Sequence, residues 1–186
     1  MHVISPIGKQ VINKLRVGDA AEITGVIYVA RDMAHQRMIE ALDAGNGLPF
    51  DISGQTIYYM GPSPAKPGQL IGSAGPTTSS RMDAYTPRLL SLGLRAMIGK
   101  GARSDEVKKA IVEYKTVYFV ATGGAGALIS KCIKKVDIVA YEDLGAEAIL
   151  RIEVDQFPVV VANDVYGGDL YIEGKAKYQR PVEARV

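Results

Sequence analysis

Short β-branched runs alternate with helix-patterned segments along this chain, and this alternation restricts its fold more than any other feature of the sequence. The run at 21–30 is strand-like and leads into RDMAHQRMIEALDAG, where apolar residues recur at helical spacing until Gly45. Further strand-like runs lie at 55–60, 95–99, 116–122, 136–141, 150–156 and 157–163. The pattern predicts an α/β domain in which helices layer on a mixed sheet, with some antiparallel pairing at its ends.

Helix signals fill several of the segments between these runs. A helical pattern extends from Arg81 to Leu92, and Ser104 is placed to cap another helix at its amino end. The small-residue segment at 123–133 predicts a turn that leads into a further helix. After the turn DVYGGD we expect a short final strand and then a loosely held, charged carboxyl terminus.

Composition and charge are those of a single domain over residues 1–186. The 186 residues are 47% apolar, which is enough to bury a core, and the 22 basic and 20 acidic side chains are interspersed. A net charge of +2 provides no broad positive face, so no nucleic-acid partner is expected. No apolar stretch approaches the ~18 to 20 residues that cross a bilayer, and the first residues lack a signal-peptide pattern, so we expect a cytoplasmic protein without a membrane partner.

Cysteine usage limits the metal chemistry that this chain can support. Cys132 is the only cysteine, which excludes an internal disulfide framework and any cluster held by several thiolates of this chain. The apolar helical pattern around Cys132 favours a small core residue. We therefore predict no metal-binding residues here.

The segment 61–80 is rich in proline and glycine and is longer than most connections that lack a function. It ends with Thr77 close to Arg81, where the sequence predicts the start of a helix. Free backbone N–H groups and the helix dipole favour an anion at such a place, and hydroxyl and guanidinium groups can bind a carboxylate. The alternative is that one of the two serines before Arg81 caps the helix and Arg81 faces water.

Two more cations follow predicted strands. Arg31 comes directly after the run at 21–30, and Lys100 comes directly after the run at 95–99. Ligand crevices in open α/β sheets form at such strand ends, so we expect Arg31, Arg81 and Lys100 to face one crevice. Taken alone, Arg31 and Asp32 are equally compatible with an exposed ion pair at the start of a helix.

Two other features favour structural roles. His35 lies one helical turn after Arg31, and its position favours a helix-surface histidine without a catalytic role; support of Arg31 or acid–base chemistry is the alternative. The glycines of TGGAGA at 122–127 lack the spacing of a phosphate-binding loop, which favours close packing of strand and helix.

Five segments form an ordered pattern over nearly the whole chain: ITGVIYVARDMAH, YYMGPSPAKPGQLIGSAGPTTSSRMDAY, IGKGARS, YEDLGAEAI and FPVVVANDVYGGDLY. This pattern resembles the β subunit of the two-subunit, iron–sulfur class I fumarate hydratases, which is closely related to the β subunit of L-tartrate dehydratase. The resemblance implies a swivelling β/β/α domain that closes over a site housed mainly in a partner. That partner, a cluster-bearing α subunit, would hold a four-iron four-sulfur cluster through three cysteines.

The resemblance also implies roles for four residues. Arg31, Arg81 and Lys100 would bind the carboxylates of a C4 dicarboxylate substrate, and Thr77 would be the catalytic base. The implied activity is reversible hydration of fumarate to malate by a hetero-oligomer. A β subunit of L-tartrate dehydratase, a non-catalytic dicarboxylate-binding module and a homodimer of this chain alone are the open alternatives.

Overall fold

The computed structural model describes residues 1–179, and it is a mixed α/β fold as the alternation predicts. The strands of this part are β1 (His2–Ser5), β2 (Ala20–Val29), β3 (Thr56–Tyr58), β4 (Ala96–Gly99), β5 (Val117–Val120), β6 (Ile133–Ala140) and β7 (Ile149–Asn163). The α-helices are α1 (Lys9–Ile12), α2 (Asp32–Asp43), α3 (Thr86–Ser91), α4 (Asp105–Glu113), α5 (Gly126–Cys132) and α6 (Leu170–Tyr178). Two 3₁₀ segments lie at Ser79–Met82 and Glu142–Glu147. None of these helices is long and apolar enough to span a bilayer.

The strands form one mixed sheet whose pairings close on themselves. β1 to β5 are parallel neighbours, and β7 runs antiparallel to β2, β5 and β6. Because β7 pairs with both β5 and β2, the pairings β2–β3–β4–β5–β7–β2 form a ring. Such a ring separates two apolar faces, and each face has its own buried cluster.

The two clusters explain why the central strands β3, β4 and β5 are mostly apolar at successive positions. One cluster includes Ile23, Phe119 and Phe157, and the other packs sheet residues such as Met97 against Met38 and further helix residues. Strands buried on both faces need apolar residues at every position rather than at alternate positions. This two-sided burial is the reason that these three strands could be predicted from apolar runs in the sequence.

The long strand β7 replaces two strands that the sequence predicts at 150–156 and 157–163. The backbone breaks its regular conformation at Gln156, where φ is +52°, without ending the strand. The Gln156 N–H donates to the Thr24 hydroxyl at 3.0 Å. β7 pairs with β6 before this point and with β5 after it, so one strand serves both neighbours.

The predicted final strand is wrong, because the segment after DVYGGD is the helix α6. Asp169 caps this helix: its carboxylate accepts from the Tyr171 N–H at 2.9 Å, while its own N–H donates to Glu173 at 3.0 Å. Such reciprocal capping favours a helix over a strand. The expectation of a loosely held carboxyl terminus falls on residues 180–186, which lie outside the described residues.

The helix predicted from Arg81 to Leu92 is also wrong in its first half. A short 3₁₀ turn holds Arg81, and α3 begins only at Thr86, with Pro87 in its first turn. Proline lacks the N–H that a helix continuing from Arg81 would need at this position, and it fits the first turn of a helix, so it sets a new helix start here.

Candidate active site at the carboxyl edge of the sheet

The carboxyl ends of β2, β3 and β4 are adjacent, and the predicted site residues lie along this edge. Thr77 crosses the end of β3: its N–H donates to the Tyr59 carbonyl at 2.8 Å, and its own carbonyl accepts from the Lys100 N–H at 3.2 Å. Lys100 directly follows β4, and its carbonyl accepts from the Ser79 N–H at 2.9 Å. The loop that carries Thr77 is therefore joined by its backbone to the residue that carries the lysine.

Arg31 occupies the position before α2, at the end of β2. Its guanidinium donates to Glu147 at 3.0 Å, and the other oxygen of Glu147 accepts from the Met33 N–H at 2.7 Å. Glu147 thus caps α2 from a distant segment, a role that the arginine itself cannot perform. Gly61 lies against the guanidinium, because a Cβ at this position would overlap it.

Arg81 reaches the same place from the threonine loop. Its Nε donates to Asp32 at 2.7 Å, and Asp32 is the first residue of α2, next to Arg31 in the chain. The side chain of Arg81 is half exposed, with a relative exposure of 53%. The Arg31–Asp32 pair that the sequence leaves ambiguous is therefore split, since each member has its own partner across the edge.

Lys100 differs from the two arginines. Within residues 1–179 its ammonium makes no hydrogen bond or ion pair, while its backbone is fully bonded. Its aliphatic stem lies near Gly123, in the small-residue loop that follows β5. A cation with a fixed backbone and an unoccupied head group is available to a ligand.

The helix-dipole argument for an anion at Thr77 is wrong, although the residues converge. The segment that follows is a 3₁₀ turn of four residues, and the N–H groups of Thr77 and Ser79 already donate to backbone carbonyls. The backbone at this point therefore offers an anion no unpaired N–H from Thr77 or Ser79. The serine-cap alternative is wrong as well, since neither serine caps a helix through its side chain.

Three buried polar atoms at this edge have no partner among the described residues. They are the Nε of Arg31, one carboxylate oxygen of Asp32 and the Nε2 of His35. Buried polar atoms in proteins are nearly always paired, with ordered water or a ligand when no protein group is near. All three lie within about one turn at the start of α2, while two further atoms of this kind, the Thr116 Oγ1 and the Asn163 Oδ1, lie elsewhere in the described chain.

His35 is fully buried, which overturns the expectation of a helix-surface histidine. Its Nδ1–H donates to the Arg31 carbonyl at 2.9 Å, and its ring packs edge-on against Tyr59. Burial lowers the pKa of His35 to about 4, with a further lowering from nearby Arg103, so the ring is neutral at physiological pH. A neutral His35 therefore supports the backbone of Arg31, one of the roles that the sequence left open.

We expect His35 to make the protein less stable as the pH falls. The pKa is depressed in the folded chain, so between pH 6.5 and 4 the unfolded chain binds a proton that the folded chain does not. The free energy of unfolding should fall by about 2 kcal/mol between pH 7 and pH 5 from this group. Urea unfolding of wild type and His35→Gln at both pH values measures the difference, with His2→Gln as the control. Equal pH dependence of the wild type and His35→Gln would contradict the assignment.

Further charged residues lie behind the site, and the sequence alone did not predict them as part of it. Arg103 is fully buried, and its Nε donates to Asp83 at 2.7 Å while Asp83 also accepts from the Ser104 N–H at 2.7 Å. Glu147 was missed in the same way. All of these residues lie in or beside the segments GPTTSSRMD, IGKGARS and YEDLGAEAI, but the sequence does not show which charges pair.

Gly126 of the small-residue segment and the single cysteine both pack against other parts of the protein. Gly126, the first residue of α5, lies directly against Gly75 and Ser73, and its carbonyl accepts from the Ala74 N–H at 3.1 Å, so its close contact is with the loop before Thr77 rather than with a strand. Cys132 is partly buried against the apolar cluster that includes Phe119 and Phe157, and burial raises the pKa of its thiol. Residues 1–179 contain no group of three or more histidine, cysteine or acidic side chains able to hold a metal ion.

Comparison with known proteins relates this chain to one family. The family model described as Fumarase C-terminus matches residues 2–174. Over 182 residues the chain is 37% identical to "Putative L(+)-tartrate dehydratase subunit beta" of Methanocaldococcus jannaschii, covering 95% of this chain and 93% of that protein. The two proteins are thus similar over nearly their full lengths.

Two longer relatives are matched only in part. The chain is 38% identical over 164 residues to "Fumarate hydratase class I, aerobic" of Salmonella typhimurium, covering 87% of this chain and 28% of that protein. It is 41% identical over 164 residues to "Fumarate hydratase 1, mitochondrial" of Leishmania major, covering 87% of this chain and 30% of that protein. The matched region therefore spans less than a third of each of these relatives.

Proposed function

This chain belongs to the fumarase C-terminus family, and on that premise we propose that it is the β subunit of a hydro-lyase that reversibly hydrates fumarate to malate. The observation that carries the proposal is the convergence of Arg31, Arg81 and Lys100 at one sheet edge beside Thr77. Fumarate and malate are dianions, and three cations suit two carboxylates.

The binding roles follow from the present partners of the cations. Arg81 uses its Nε on Asp32 and Arg31 uses one terminal nitrogen on Glu147, which leaves guanidinium nitrogens of both residues for a carboxylate. The ammonium of Lys100 has no competing partner in the described chain. We assign the two arginines and the lysine to fixing the substrate's two carboxylates.

We assign Thr77 as the base that removes the proton from the carbon next to a carboxylate of malate. Its hydroxyl makes no hydrogen bond within residues 1–179, while its backbone is held on both sides. A threonine hydroxyl is a very weak acid, so the role requires that nearby cations stabilise its ionised form in a closed, dry site. The three cations at this edge are suited to that task.

The remaining chemistry belongs to a partner. The single thiol of Cys132, turned toward the Gln156 carbonyl at 3.8 Å, does not fit a cluster that needs three cysteines. We propose that a separate α subunit holds the four-iron four-sulfur cluster and supplies Lewis-acid chemistry at the hydroxyl. Partial coverage of the longer fumarate hydratases supports a second chain of this kind. We also propose that this chain works in the cytoplasm and closes over the partner as a swivelling domain.

L-tartrate is the second candidate substrate. The near full-length match to a protein named as a tartrate dehydratase β subunit favours it. Fumarate and L-tartrate share the four-carbon dicarboxylate that the three cations would bind, so discrimination would depend on groups beyond this edge.

Anaerobic co-expression with a chain that carries three cluster-ligating cysteines tests the proposal. The purified complex should hydrate fumarate or dehydrate L-tartrate, and each chain alone should be inactive. Turnover of L-tartrate but not fumarate would replace the first substrate with the second. A complex that binds dicarboxylates without turning over either one would reduce the role of this chain to a binding module.

A further inference from the structure

The backbone N–H and carbonyl groups of Lys100 and Gly101 are all hydrogen-bonded. The Lys100 N–H is shared between the Ser79 hydroxyl at 3.0 Å and the Thr77 carbonyl at 3.2 Å, and its carbonyl accepts from the Ser79 N–H at 2.9 Å. The Gly101 N–H donates to the Tyr171 hydroxyl at 2.9 Å. Its carbonyl accepts from the Tyr118 hydroxyl at 2.9 Å.

Two tyrosines therefore bond the two backbone polar groups of one residue, in the peptide units on either side of the Gly101 Cα. Gly101 has a φ of +85°, a conformation that glycine adopts without strain, and the neighbouring loop offers no other partner for its N–H among the described residues. Without these bonds the glycine step would be the most permissive point of the backbone beside Lys100. With them, the residue that follows Lys100 is held by side chains of β5 and α6.

The buried tyrosine is part of a continuous chain of hydroxyl groups. Tyr118 Oη lies 2.8 Å from the Ser79 Oγ and 2.9 Å from the Gly101 carbonyl. Because the carbonyl can only accept, the phenol donates to Gly101 and the Ser79 hydroxyl donates to the phenol. This series of hydrogen bonds runs from the Lys100 N–H through the hydroxyls of Ser79 and Tyr118 to the Gly101 carbonyl, and each hydroxyl donates once and accepts once.

The second tyrosine brings α6 into contact with the site. Tyr171 is 40% exposed, in the first turn of α6, and its N–H donates to the capping carboxylate of Asp169 at 2.9 Å. Asp169 also pairs with Lys108 of α4 at 3.3 Å. The position of the phenol is thus set by a cap that is anchored to a neighbouring helix.

We propose that Tyr118 and Tyr171 are positioning residues that act through Lys100, by fixing the backbone of the adjacent Gly101 so that the ammonium is aimed at the substrate carboxylate. The proposal rests on the proposed function for the role of Lys100 and on hydrogen bonds of this chain for the clamp itself. Neither tyrosine needs to touch the substrate.

Amide hydrogen exchange of this chain alone tests the clamp. Tyr171→Phe removes the acceptor of the Gly101 N–H, so exchange at Gly101 should become about 3- to 10-fold faster, the effect of losing one hydrogen bond. The control is Tyr178→Phe, because Tyr178 lies in the same helix and is 75% exposed. This change should leave the exchange rate of the Gly101 amide unchanged. Unchanged exchange in Tyr171→Phe, or an equal increase in Tyr178→Phe, would overturn the clamp.

Kinetics of the complex test the action through Lys100. A misplaced ammonium binds substrate and transition state less well to the same degree, so Tyr171→Phe and Tyr118→Phe should raise the KM for fumarate about 3- to 10-fold with kcat nearly unchanged. In a Lys100→Met background neither change should have a further effect. Effects that multiply with Lys100→Met would show a general structural role and overturn the proposal. A wild-type complex without turnover would reject the proposed function, while amide exchange would still decide the clamp.

Discussion

Replacing Thr77 with valine is expected to lower the turnover of the reconstituted complex by about 10²- to 10⁴-fold, the usual loss when a general base is removed. Valine has nearly the shape of threonine and lacks only the hydroxyl. The contacts of Thr77 with Tyr59 and Lys100 are made by its backbone, so the loop should stay in place. We therefore expect the KM and the amount of cluster in the complex to stay close to the wild-type values, and steady-state kinetics with fumarate measure the separation.

The adjacent Thr78 provides a matched control. It is exposed, and it pairs with Lys100 only through a backbone bridge. Thr78→Val makes the same chemical change one residue away and should leave turnover within a few-fold of the wild type. If Thr77→Val turned over at the wild-type rate, the base assignment would be lost, and the alternative that Thr77 only orients the substrate would remain.

Arg103→Met is expected to lower the free energy of unfolding by about 3 to 5 kcal/mol, the cost of breaking a buried ion pair from one side. The side chain of Arg103 is wholly buried, bonded to Asp83 at 2.7 Å and to the Thr86 hydroxyl at 2.7 Å. Its guanidinium also lies 4.9 Å from the centre of the Tyr118 ring. Burial alone lowers the pKa of Arg103, but Tyr59 and the Asp83 carboxylate outweigh it and raise the pKa, so the charge persists.

Losing this arginine would leave the Asp83 carboxylate with little compensation in a mostly buried place. Urea unfolding at neutral pH measures the loss. The control is Arg37→Met, because Arg37 pairs with Asp143 at 2.8 Å on the surface, where a pair contributes about 0 to 1 kcal/mol. A loss for Arg103→Met as small as that for Arg37→Met would mean that the buried pair does not stabilise the fold.

The strength of the sequence patterns explains which parts of the fold were predictable. Strands buried on both faces are apolar throughout, and α4 carries its cap beside it, where the Ser104 hydroxyl accepts from the Val107 N–H at 3.3 Å. These signals are local, so they can be read from neighbouring residues. The start of α3 and the identity of α6 were missed because Pro87 and Asp169 act through competing local interactions, which a pattern of apolar residues does not register.

The candidate site was predictable only in its composition. Arg31, Thr77, Arg81 and Lys100 were chosen from strand ends, one loop and a resemblance, and the tertiary structure places all four at one edge. The pairing of Arg31 with Glu147, 116 residues away, has no local signal. His35 shows the limit most clearly, because one position on a helix is surface or core according to what packs over it.

By itself, the sequence of this protein determined the alternation of strands and helices, the family resemblance and the lack of thiolates for a cluster. These properties depend on residue type and near neighbours. Only the tertiary structure decided that the strands close into a ring, that Glu147 and Asp32 hold the arginines, and that two tyrosines bond the backbone of Gly101 beside Lys100. Such contacts join residues far apart in the chain, and their energy depends on distance and burial, which exist only once the chain has folded.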